Sequence, residues 1–292
     1  MLNLSVLIQF LFSGINMGSV YALIALSLVI VYNVSKVLCF AQGEFFVFGA
    51  LTMIFLTGHG VPMPLGFPLS IILALLLGAV VERVLIKRVQ TASIGTVITM
   101  TVAVSLFLRG AGLLIWGRES HTLPPFSSAK SLSVMGAFLP VQVLWVIGTT
   151  VLVLLVIWWF FERTLPGLAM RACAENRLAA NLVGITVWKA TLLAWAWGAA
   201  LGALAGIVVS PLIFVQYVSG TMPMLKGFTA IAIGGLGTVG SVIAGFLLGI
   251  IEAFTVGLVS SKFADAVVFT ILILVLLIRS SGRFGSSQNG GM

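Results

Sequence analysis

Acidic side chains are scarce in this chain: seven Asp and Glu in 292 residues, against fifteen Lys and Arg. Charged residues of both signs make up only 8% of it. A soluble domain needs about a quarter of its residues charged to cover its surface, so lipid must cover much of this one. Histidine and cysteine are equally sparse, two of each. Cys39 and Cys173 lie far apart, in no pattern that makes a disulfide or a metal site. His59 and His121 fall in loops, there is no G-x-S-x-G elbow, and there is no P-loop to hold ATP. No catalytic constellation, metal or cofactor is expected. The first apolar run has no basic segment before it and no small-residue cleavage site near its end, so it reads as a retained helix and not a signal peptide.

What fills the chain is apolar. Hydrophobic residues make up 60%, with 32 Gly and 20 Phe. The runs are long and apolar on all sides, as in Val141–Phe161, which favours helices over the short alternating segments of a β-barrel. Runs fall at about 7–31, 38–56, 68–84, 94–116, 141–161, 188–209, 241–259 and 264–278. The stretch 227–240 is too short and too rich in Gly for a full span, and reads as a half-helix or re-entrant segment buried in protein. The expected fold is an all-α polytopic membrane protein of about eight transmembrane helices plus one re-entrant or broken segment. It forms a single domain over 1–292, with a disordered tail at 280–292. Small residues at Ala194, Gly198, Gly202 and Gly206 put one face of the sixth run in position for close packing.

The net charge of +8 does not imply nucleic acid, because no basic face is interleaved with solvated polar surface. Lys and Arg concentrate instead in loops that stay cytoplasmic. Arg83, Lys87 and Arg88 follow the third run, Arg163, Arg171, Arg177 and Lys189 lie in 162–189, and Arg279 and Arg283 close the chain. The loop 117–140 then lies outside. The start of the chain is outside if Lys36 is cytoplasmic and 38–56 crosses, and inside if 38–56 is re-entrant.

The polar stretch 162–189 is the longest between apolar runs. Pro166-Gly167 gives a turn, 168–183 forms one or two short helices, and Gly184 stops them. Leu178, Leu182 and Ile185 lie near one face. Such a piece either lies on the lipid surface or docks a cytoplasmic protein, and its modest charge favours docking.

Glu44 and Glu252 are acidic residues inside apolar runs, where a charge costs at least a few kcal/mol. Each either lines a polar path or ties helices together. Gln42 and Gly43 interrupt the pattern just before Glu44, and broken helices expose backbone groups to polar solutes. The helix start would favour a carboxylate and Glu44 an ammonium, so a zwitterion suits both. Candidates for the substrate path are therefore Gln42, Gly43, Glu44, Gly234, Gly235, Gly237 and Glu252. Arg109 reads as a residue snorkelling to the outer interface.

Four blocks carry a family resemblance: GINMGSVYALIALSLVIVYNV (14–34), FAQGEFFVFGA (40–50), RACAENRLAANLVGI (171–185) and FTAIAIGGLGTVGSVIAGFLLGIIEAF (228–254). In this order they resemble the high-affinity branched-chain amino acid permeases among ABC importers. Two features depart from the wider importer pattern: Glu175 does not directly precede the pair Ala179–Ala180, and the later Ile-x-Leu-Pro is absent. The resemblance implies a type II ABC importer-like permease, not an enzyme, in the inner membrane. Its partners would be a second related permease, two ATP-binding cassette subunits and a soluble substrate-binding protein that delivers amino acids. It also implies a cassette-coupling loop at 162–189, with Arg171, Glu175, Asn176, Arg177, Ala179, Ala180 and Gly184 as its residues. Substrates in the wider family extend to urea, short amides and other small acids. The alternative is a secondary transporter driven by an ion gradient, which would carry more intramembrane carboxylates and an internal repeat.

Overall fold

The computed structural model describes residues 4–89, 92–127, 131–134 and 137–280, so the tail expected to be disordered lies almost wholly outside the described residues. The first half of the chain forms α1 (Leu4–Ser35), α2 (Gln42–Gly58) and α3 (Met63–Val81). From α3 the chain runs through a π-helical turn, Glu82–Ile86, into α4 (Lys87–Val89) and then α5 (Ile94–Trp116). A hairpin of β1 (Ser131–Val134) and β2 (Ala137–Pro140) leads into α6 (Val141–Arg163). Then come α7 (Leu165–Glu175), α8 (Arg177–Leu182), α9 (Val187–Val209), α10 (Thr221–Gly234), α11 (Thr238–Leu258) and α12 (Ala264–Ser280).

Among the described residues, seven helices are long and apolar enough to cross a membrane. The helices α2 and α10 have 17 and 14 residues. They reach roughly 25 and 21 Å, short of roughly 30 Å of hydrocarbon. Each crossing is completed by a non-helical stretch, residues 36–41 before α2 and 210–220 before α10. The half-helix expected at 227–240 is thus real but begins earlier, and its break lies on its N-terminal side, after Pro211.

The sides follow from contacts. Lys36 Nζ donates to the Ala174 carbonyl at 3.0 Å, and Arg177 Nη1 to that of Ser35 at 3.3 Å. The C-terminal end of α1 therefore adjoins the 162–189 stretch. Arg83 and Lys87 lie 4.8 and 5.5 Å from the centre of the Trp188 ring, which puts the end of α3 at the same face. That face gathers the basic residues and is cytoplasmic. On the opposite face His121 and Val215 exchange backbone hydrogen bonds of 3.0 and 2.8 Å. The start of α1 is accordingly outside, and α2 crosses. Lys36 has φ 58°, unusual for a side chain with a Cβ. Its Nζ contact and its N–H bond to the Tyr32 carbonyl, 2.7 Å, hold it there.

The cores of the bundle are α1 and α9. Gly202 and Gly206 of α9 face α2, where they let Gln42, Phe45 and Phe46 approach closely, and Gly198 lies against Val31 and Ser27 of α1. The chain also contains a repeat that the sequence does not display. A buried helix, a non-helical stretch, a short helix and an antiparallel helix occur as α1–α2–α3 and again, inverted across the membrane, as α9–α10–α11. Packing follows the same exchange: α1 lies against α11 and α10, and α9 against α3 and α2. The fourth members, α5 and α12, rest on α2 and α10. Packing distances, not residue identities, impose this arrangement, which is why no sequence repeat accompanies it.

Candidate functional site

The two short helices start at one place. Gly43 and Gly220 touch backbone to backbone, so that a Cβ on either would overlap the carbonyl group of the other. Neither helix start carries a side-chain cap. Gln42 Nε2 donates to the Gly198 carbonyl at 2.6 Å, while its Oε1 is buried without a partner. Glu44 Oε1 accepts from Ser105 Oγ at 2.9 Å and from Arg109 Nε and Nη2 at 3.2 and 2.7 Å. Glu44 Oε2 is buried and unpartnered. Arg109 Nη2 also donates to Thr221 Oγ1 at 3.0 Å, so this one side chain joins α5 to the beginnings of both α2 and α10. Arg109 does not snorkel away from the bundle: its partner carboxylate lies within it, and an ion pair at this depth outweighs a reach to the interface. Gln42, Gly43 and Glu44 are buried among the helix contacts, whereas the Arg109 side chain is 27% exposed.

A second charged cluster lies further along α10. Lys226 Nζ sits 2.7 Å from Glu252 Oε1 and 2.8 Å from Asp265 Oδ1. Tyr21 Oη donates to Glu252 Oε2 at 2.8 Å. The cluster ties α1, α10, α11 and α12 together, so Glu252 is an interhelical tie. Sequence reasoning missed Lys226 and Asp265. The available signal was a lone Lys in the apolar stretch before Gly227, a charge that needs a carboxylate near it. Gly234, Gly235 and Gly237 lie elsewhere, in the turn between α10 and α11 at the cytoplasmic end, where Asn33 Nδ2 donates to the Leu236 carbonyl at 3.0 Å. The structure therefore brings Gln42, Gly43 and Glu44 together, and separates them from Glu252 and from the glycine turn.

The cytoplasmic stretch is built by caps. Thr164 Oγ1 accepts from the Gly167 N–H at 3.2 Å and starts α7. Pro166 lies in the first turn of α7 and not in a separate turn, since that position has no intrahelical partner for its missing N–H. Asn176 Oδ1 accepts from the N–H groups of Leu178 and Ala179, both 3.0 Å, and starts α8. Gly184, at φ 86°, ends the motif. Leu178, Leu182 and Val183 point outward at 79%, 87% and 76% exposure, while Ile185 turns inward to pack on the α1–α9 side. Arg171 pairs with Glu162 at 2.6 Å, and Arg177 also reaches Thr191 Oγ1 at 3.3 Å, so it braces α8 against the bundle. Ala180 is buried, whereas Glu175 and Ala179 are exposed. Cys173 is buried; burial pushes its thiol above the ordinary value, with nearby Arg177 opposing.

Residues 10–276 match the family model described as branched-chain amino acid transport system / permease component. The chain is 31% identical to the high-affinity branched-chain amino acid transport system permease protein LivH of Escherichia coli (strain K12), over 96% of each chain. It is likewise 31% identical, over 96% of each, to the corresponding permease protein BraD of Pseudomonas aeruginosa. Among solved structures, PsaBC from Streptococcus pneumoniae in complex with Fab aligns over 93% of this chain and 90% of that one, at 16% identity and a TM-score of 0.46. On the family match and the two full-length relatives, the chain belongs to the family of permease components of branched-chain amino acid transport systems.

Proposed function

We propose that this permease carries branched-chain amino acids, delivered by a soluble binding protein, inward across the membrane. The chain is a multi-pass inner-membrane permease subunit of an ATP-driven importer and not an enzyme; ATP hydrolysis resides in a separate subunit. The observation that carries the substrate reading is identity along 96% of the chain to two permeases named for branched-chain amino acids. A second permease copy or relative completes the path, and two cassettes bind below. The outward-facing tip of α8 and the exposed residues Arg171, Glu175, Ala179 and Gly184 receive the cassettes, while Asn176, Arg177 and Ala180 shape and brace that tip. We place the solute path beside the junction of α2 and α10, because interrupted helices put backbone donors and charges at membrane depth. Inverted repeats also occur in ion-driven transporters, so the repeat by itself does not choose between the two energy sources.

The test is reconstitution. The chain is purified with its candidate partner permease, cassettes and binding protein, and placed in liposomes. Leucine-loaded binding protein should raise ATP hydrolysis and drive leucine uptake. Uptake by the chain alone, following a proton or sodium gradient with no cassette present, would overturn the reading.

A further inference from the structure

We propose that Arg109 selects the carboxylate of the transported amino acid, with Glu44 holding its guanidinium in place; this rests on the import function proposed above. Three positive elements converge at the junction: the guanidinium and the uncapped starts of α2 and α10. Each helix start contributes about half a positive charge. Glu44 contributes one negative charge in return, so the junction keeps a net charge of about +1. A region of that sign at membrane depth favours an anionic group over a neutral amide or urea.

The guanidinium is also available. Its hydrogen bonds among the described residues use Nε and Nη2. That leaves the donors on Nη1, in the planar fork that suits a carboxylate. The Arg109 side chain is 27% exposed and that of its partner Glu44 only 2%, so the cation faces outward and the anion sits behind it. Glu44 Oε2 is a buried acceptor with no partner. Buried in this way, Glu44 holds the guanidinium from behind and leaves the solute-facing side to the cation. The carboxylate of an α-amino acid thus meets an outward-facing cation, whereas a neutral amide or urea has no anionic group to pair with it.

The competing role is purely structural, in which Arg109 only stitches three helices together. The full importer in liposomes separates the two. The double variant Glu44→Gln with Arg109→Gln keeps the side-chain shapes and neutral hydrogen bonding, so it serves a stitch. It should keep ATP hydrolysis stimulated by loaded binding protein, yet import at least about tenfold less leucine per ATP. Arg109→Lys, which keeps the charge, should recover much of that loss. Wild-type uptake per ATP in the double variant overturns the proposal. A measurement on the wild type stands independently of whether the variants assemble: a diazirine leucine analogue, photolysed during turnover, should label the α5 segment around Arg109. Labelling confined to other segments also overturns it. A wild-type importer that takes up no leucine refutes the transport function itself, which is a different outcome from either of these.

Discussion

Gly43 and Gly220 occupy one point in the membrane from two directions, each filling the space that a side chain on the other would need. Two short helices can begin there only because neither residue has a Cβ. Gly43→Ala or Gly220→Ala forces the backbones apart, and overpacking of this sort costs about 1–3 kcal/mol. Gly237→Ala is the control, because nothing lies near its added methyl and its φ of −79° suits any residue. The melting temperature of the purified chain should fall for the first two variants and hold for the third. Equal melting for all three would mean that the junction is not packed as described.

Much of this was legible in the residues. Long apolar runs gave the helices their places, and Lys and Arg placement set the cytoplasmic face. The interruption at Gln42–Gly43 marked the start of α2, and Gly184 marked the end of α8. The second break was misplaced, because the glycine cluster at 234–240 draws the eye while the real interruption at 210–220 is mostly apolar and holds a single Gly, at its end. Partners were not legible either. Arg109 and Glu44 stand 65 residues apart and Tyr21 and Glu252 stand 231 apart, so only tertiary packing reveals that these charges and donors are shared. The same holds for the inverted repeat, which lives in helix lengths and crossings and not in matching residues.

Leu178 and Leu182 point out of the cytoplasmic face at 79% and 87% exposure, on a helix held by the Asn176 cap. Isolated exposed leucines are ordinary, but two at i and i+4 on one capped turn make a ridge for a groove. Changing both to Asp should leave α8 folded and the chain inserted, while cassette recovery in affinity purification falls. Gly184→Ala is a milder probe: its added methyl meets open space, so the cost comes only from φ 86°, about 1–3 kcal/mol. If the double Asp variant retains its cassettes at the wild-type ratio, the tip of α8 is not the docking element.

Lys226 and Asp265 share an ion pair but not its weight. Lys226 is buried between two carboxylates, whereas the Asp265 side chain is 50% exposed at the start of α12. Lys226→Met strands Glu252 at membrane depth with only the Tyr21 hydroxyl, and removing one partner of a buried pair costs about 3–5 kcal/mol. Asp265→Asn gives up an exposed pair worth about 1 kcal/mol or less. The two losses should therefore differ severalfold in thermal unfolding of the purified chain. Adding Glu252→Gln to Lys226→Met should restore part of the stability, because the stranded charge disappears with it. Equal losses from the two single changes would show that Lys226 is solvated and that α12 is not fastened to α10 through a buried charge. The asymmetry matters for the fold as a whole, since α12 has little other burial to hold it.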